Sequence, residues 1–145
     1  MRTALENALY AQLDGEVPVG AVVVLRATSE IIATAYNKVE GGCNPTLHAE
    51  MLAIDAACKV LQHKNLSECD MYVTLEPCLM CAAAISYARI GRLFYGASDP
   101  KQGGVEHGPR FFTLDTCMHK PEIYDGIMAE ESSQVLRAFF ENLRS

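Results

Sequence analysis

The stretch TLEPCLMCAAAISYARI, residues Thr74–Ile90, puts a proline and two cysteines where an apolar strand gives way to an alanine-rich helix. The spacing predicts a strand over CDMYVTLE (Cys69–Glu76), a helix from about Pro77 to Ala88 and a second strand over GRLFYGA (Gly91–Ala97). A strand, helix and strand on this scale imply parallel pairing, with the helix across one face of a sheet. Cys78 and Cys81 stand at i and i+3, so a helix starting near Pro77 sets both sulfurs on one side of its first turn, where the positive helix end favours thiolates. A Cys-x-x-Cys by itself fits a redox pair or half of a structural zinc site equally well.

Outward from this unit, EVPVGAVVVL (Glu16–Leu25) and EIIATAY (Glu30–Tyr36) are rich in β-branched residues and read as an antiparallel hairpin. The N-terminal MRTALENALYAQL spaces Ala4, Leu5, Ala8, Leu9 and Leu13 as an amphipathic helix. A second helix is expected over LHAEMLAIDAACKVLQ (Leu47–Gln62), with Met51, Leu52, Ile54, Ala57, Cys58 and Leu61 at helical spacing and Thr46 as N-cap. From Ser98 to Pro121 the chain is polar and punctuated by Gly and Pro, too long for a plain connector, and reads as a functional loop. A short fifth strand over EIYDGI (Glu122–Ile127) and a closing helix over AEESSQVLRAFFENLR (Ala129–Arg144) follow. With no repeat or low-complexity tract, residues 1–145 are expected to form a single domain.

Half of the residues are hydrophobic, enough for a substantial core, yet the longest apolar run is far short of a membrane span. Glu6 interrupts the first helix, so it lacks the apolar segment of a signal peptide, and a cytoplasmic location is expected. A chain of this length needs no staples, which favours reduced thiols for its six cysteines. The net charge of −6 argues against a broad electrostatic grip on nucleic acid, which depends on many Lys and Arg contacts.

The second half of a metal constellation lies in the triplet HAE. Residues two apart on an ideal helix do not share a face, so His48 and Glu50 serve one site only where the helix end itself points at it. A neutral His48 with Cys78 and Cys81 as thiolates balances a divalent ion and leaves a fourth position open, as catalytic zinc sites require. A neighbouring carboxylate then accepts and returns protons. Spacing alone would allow Cys43 as a fourth ligand, though its Gly-rich loop is a loose place to hold one. Cys58 and Cys69 read as core residues and Cys117 as a loop thiol, while His63, His107 and His119 have no partner at ligand spacing.

HAE followed by PCLMC resembles the zinc-dependent cytidine and nucleobase deaminases. GEVPVGAVVV, YNKV, PTLHAE, YVTLEPCLMCAAAI, ARIGRLFYGASDPK and AFFENLR extend the likeness, over nearly the whole chain, to the bacterial tRNA adenosine deaminases. That resemblance implies a three-layer α/β/α cytidine-deaminase-like fold with a mixed five-stranded sheet flanked by helices. It implies one zinc per chain on His48, Cys78 and Cys81, with Glu50 as proton shuttle. The implied reaction is hydrolytic conversion of adenosine to inosine at the wobble position of a tRNA anticodon, by a homodimer. By position, Asn37 would hydrogen-bond the flipped adenine, Ala49 would offer its backbone N–H, and Val17, Leu75 and Pro77 would wall the base in. Asp99 and Lys101 match a loop near the neighbouring nucleotide, and Phe139 and Phe140 a terminal helix beside the anticodon loop. Departures are Leu47 in place of a common Ala, Glu141 in place of a common base, and the loop GGVEHGPRFF. Two other readings stand beside this one. The first is a deaminase of a free base or nucleotide of guanine or cytosine type, and the second a non-catalytic RNA-binding subunit stabilised by zinc.

Overall fold

Alternation along β3 (Cys69–Leu75) sends Cys69, Met71 and Val73 into the main core and turns Asp70, Tyr72 and Thr74 to the opposite face. The computed structural model, which describes residues 1–145, builds a five-stranded sheet around this strand. β1 (Gly20–Leu25) runs antiparallel to both β2 (Glu30–Tyr36) and β3, whereas β4 (Arg92–Ala97) and β5 (Glu122–Tyr124) continue parallel to β3, giving the order β2-β1-β3-β4-β5. The hairpin, the parallel β3–β4 pair and the mixed sheet are therefore as the sequence leads one to expect.

Helices α1 (Arg2–Leu13) and α4 (Ala129–Arg144) pack against one face, and α2 (Ala49–Leu61) and α3 (Leu79–Ala88) against the other. No helix is long and apolar enough to cross a membrane. The α2 and α3 side carries the main core, where Ala49, Ala53, Ala57 and Ala82 let both helices approach Met71, Val73, Leu93 and Tyr95 closely.

Small residues also decide the α1 contact, against expectation. The helix buries Ala4, Asn7, Ala8 and Ala11, while Leu9 and Leu13 face outward. The cause is proximity: α1 runs so near β1 that a Cβ on Gly20 would collide with the Ala4 carbonyl oxygen. We predict that Gly20→Ala costs about 1–3 kcal/mol, as overpacking does, read as a lower urea midpoint at unchanged m-value.

Two helix starts also differ from expectation. Thr46 does not cap α2; its hydroxyl donates to Asn44 Oδ1 within an Asx turn, and His48 takes the N-cap position in extended conformation. Helix α3 begins at Leu79 rather than Pro77. An isolated bridge between Cys78 and Gly103, and the Gly104 N–H donated to the Pro77 carbonyl, keep this segment extended and make Cys78 the N-cap. The long Ser98–Pro121 segment is packed, with Val105 and Phe112 in the core and a 3₁₀ turn at Phe111–Thr113.

Candidate active site

Because α2 and α3 pack side by side, their N-termini meet at the carboxyl end of β3. His48 and Cys78 are the two N-cap residues, and Cys81 lies in the first turn of α3. His48 Nδ1 lies 3.6 Å from Cys78 Sγ and 3.5 Å from Cys81 Sγ, and the three donor atoms are all within 4.8 Å of one another. An ion bonded at roughly 2.0–2.1 Å to nitrogen and about 2.3 Å to sulfur at tetrahedral angles spans N···S edges of about 3.6 Å, so the donor set fits zinc. Cys43 does not join it: its thiol is exposed on the preceding loop.

The electrostatics suit a cation. Hydrogen bonding from Cys81, followed by that from His48, outweighs burial and holds the Cys78 thiol down at about 4. The shared hydrogen bond and burial hold Cys81 well above the usual thiol range. The pair thus loses its first proton readily and its second only with help, and a divalent ion supplies that help. Hydrogen bonding to Cys78 raises His48. Glu50 is buried beside the trio, and burial, only partly offset by its own backbone N–H and aided by the Cys78 charge, pushes its carboxyl up to about 7.

Asn37, at the end of β2, is also buried, and its side-chain partners are protein groups. Ala49 N–H donates to Asn37 Oδ1 at 2.8 Å, and Asn37 Nδ2 donates to the Val17 carbonyl at 3.0 Å. The two groups expected to present themselves separately to a base are therefore paired with each other; Oδ1 keeps a second lone pair. Val17 is exposed and Leu75 half-buried, as pocket walls would be, but Pro77 is fully buried. Its carbonyl accepts the Gly104 N–H, which ties this buried residue to the 103–104 segment. The Asp99 carboxylate caps its own turn, accepting from the Lys101 and Gln102 N–H groups, and the Lys101 side chain is exposed. Phe139 and Phe140 meet edge to face; Phe139 is 9% exposed and turned inward, leaving Phe140, at 40%, as the ring a partner can touch.

Two buried acids beside the site escaped the sequence reading. Glu16 accepts from the Glu40 and Gly41 N–H groups, pinning the loop that leads to His48. Glu76, two residues before Cys78, has a side chain with no exposure and accepts from Asp99, Val105, Glu106 and His107 N–H and from His107 Nδ1. Burial works to raise its carboxyl, but the bonds from Asp99 and His107 prevail and hold it below the ordinary value. An acid at the end of an apolar strand, directly before a metal motif, was the available clue. His107, expected to be unpartnered, is thus tied to the interior. Cys69 is in the core and Cys58 beside it, whereas Cys117 donates to the His119 carbonyl.

Residues 1–97 match the family model for the cytidine and deoxycytidylate deaminase zinc-binding region. The chain is 52% identical over 99% of both chains to the tRNA-specific adenosine deaminase of Rickettsia bellii. It superposes with a TM-score of 0.91, at 49% identity over 94% of this chain and 97% of the other, on a structure from a study of A-to-I editing by tRNA:A34 deaminases at the wobble position of transfer RNA. Guanine deaminase from Bacillus subtilis is more distant, at 31% identity and a TM-score of 0.65 over 99% of this chain and 90% of the other.

Proposed function

Because this chain belongs to the tRNA-specific adenosine deaminases, within the zinc-binding cytidine and deoxycytidylate deaminase family, we propose that it hydrolyses adenosine to inosine at the wobble position of a tRNA anticodon. The observation that carries the chemistry is the trio of His48, Cys78 and Cys81 at tetrahedral spacing beside the buried Glu50. In this reading these three residues hold one zinc per chain, and residues 1–145 act as one deaminase domain. When bound, zinc supplies the Lewis acidity that lets a water ionise near neutral pH.

The chain's own groups do the rest. Glu50, poised near neutrality, takes the water's proton and returns protons to the ring nitrogen and to the departing amine, so that water and adenosine become inosine and ammonia. In this reading the second lone pair of Asn37 Oδ1 accepts from the base, and Val17 and Leu75 exclude solvent around it. An anticodon loop suits such a site, since its base is already partly unstacked and costs less to extrude than one in a duplex. Incubating the zinc-loaded protein with an anticodon stem-loop and, separately, with free guanine and cytosine tests the reading. Inosine is expected in the RNA, and ammonia released only from the free bases would overturn it.

We further infer a homodimer through the α2 and α3 face, where Val60, Leu79 and Tyr87 are exposed, Tyr87 by 85%, around a cleft lined by Ile54, Cys58 and Ala84. From the tRNA substrate we infer a cytoplasmic location. Exposed Lys101, Arg110, Lys120 and Arg144 are the candidate phosphate contacts. Replacing all four by Gln should flatten the slope of log Kd against log salt by about 2–4, at up to about 0.9 for each phosphate no longer neutralised. An unchanged slope moves the phosphate-binding surface elsewhere.

A further inference from the structure

Glu76 has the densest set of hydrogen bonds of any side chain near the site and no place in the chemistry above. Its Oε2 accepts N–H bonds from Val105 (3.2 Å), Glu106 (3.1 Å) and His107 (3.1 Å), and its Oε1 accepts from Asp99 N–H (3.0 Å) and His107 Nδ1 (2.8 Å). Three successive backbone N–H groups converging on one carboxylate oxygen form an anion nest whose anion is part of the protein. The Asp99–His107 loop folds around this charge. Gly103 fits only because it has no side chain, since a Cβ there would collide with the Glu76 carboxylate.

With Glu106 and His107, Glu76 also has the composition of a metal site, but its lone pairs are spent. Glu106 Oε1 is likewise occupied, by the Tyr95 and Ser98 hydroxyls. The cluster is a brace. What it braces is specific: Glu76 and Cys78 flank Pro77, whose carbonyl accepts the Gly104 N–H, while Gly103 bridges to Cys78. The loop is thereby welded, at Asp99 and again at Gly103–His107, to the extended segment that carries Cys78. Between these two attachments it presents the exposed Lys101.

We propose that Glu76 is a positioning residue, whose buried charge sets the Asp99–His107 loop as a substrate-facing wall of the site. The claim rests on the tRNA-deaminase reading above. Hydrogen bonds to a charged group are worth more than neutral ones, and an amide keeps only one acceptor oxygen, so its NH2 must face either the Val105–His107 N–H groups or the Asp99 N–H and His107 Nδ1, and Gln cannot satisfy both sets.

The test compares zinc-loaded wild type, Glu76→Gln and Gly103→Ala. Amide hydrogen exchange at Asp99, Val105, Glu106 and His107 should accelerate about 10- to 100-fold in Glu76→Gln, and KM for the anticodon stem-loop should rise about tenfold with kcat within about threefold. Zinc content should stay at the wild-type level. Gly103→Ala keeps the carboxylate but displaces the loop, so it should reproduce the KM shift, and it decides alone if Glu76→Gln does not fold. Unchanged exchange, accelerated exchange at unchanged KM, or a joint fall of kcat and zinc content would each overturn the proposal. Wild-type inertness toward the stem-loop sinks instead the reading beneath it, and is told apart because no variant is involved.

Discussion

Glu50→Ala is expected to lower kcat for the anticodon stem-loop by about 10²–10⁴-fold, the contribution of a positioned general acid and base, while zinc content and fold persist. Burial is the largest influence pushing the Glu50 carboxyl up to about 7, aided by the Cys78 charge and opposed by its own backbone N–H, His48 and Cys81. Removing such a group relieves an unfavourable desolvation, so Tm should hold or rise, as is common where a residue is kept for activity rather than stability. Glu50→Gln keeps the shape and loses the proton chemistry, so it should match Ala in kcat. Zinc analysis beside turnover makes the result decisive: an active Glu50→Ala enzyme would remove the carboxylate from the mechanism.

Cys78→Ala should have the opposite signature. Cys78 caps α3, gives up its proton most readily of the pair and stands 3.6 Å from His48 Nδ1, so its loss breaks the charge balance and the tetrahedral set together. Metal affinity should fall by on the order of 10³-fold or more, with activity and some thermal stability lost alongside, because metal binding is coupled to folding. Cys43→Ala is the matching control. Its thiol is exposed outside the trio, and its zinc content and turnover should equal wild type. Retention of stoichiometric zinc by Cys78→Ala would mean that the donor set is misassigned.

Much of this site was legible from local spacing. PCLMC signalled two sulfurs near a helix start, and HAE an imidazole and an acid near another, since caps and helical periods are written within a few residues. The readings that failed each met a competing contact. Leu9 and Leu13 matched a helical stripe, but the tight approach of α1 to Gly20 selected the alanines instead. Thr46 looked like a cap until Asn44 claimed its hydroxyl. Pro77 looked like a pocket wall, but packing buries it completely. For α1 and Pro77 a neighbour in space outbid the local pattern, whereas for Thr46 the competitor stands two residues away in sequence.

The amino-acid sequence alone determined the kinds of group present: one imidazole, two thiols and an acid in motifs that specify helix starts, on strands whose alternation fixes which side faces the core. Their meeting was decided by the tertiary structure. His48 and Cys78 are thirty residues apart, and they converge because β1 inserts between β2 and β3 and sets α2 beside α3. The burial that tunes Glu50 and the closing of a loop around Glu76 also arise only then, since desolvation and convergent N–H groups come from packing, which no short segment contains.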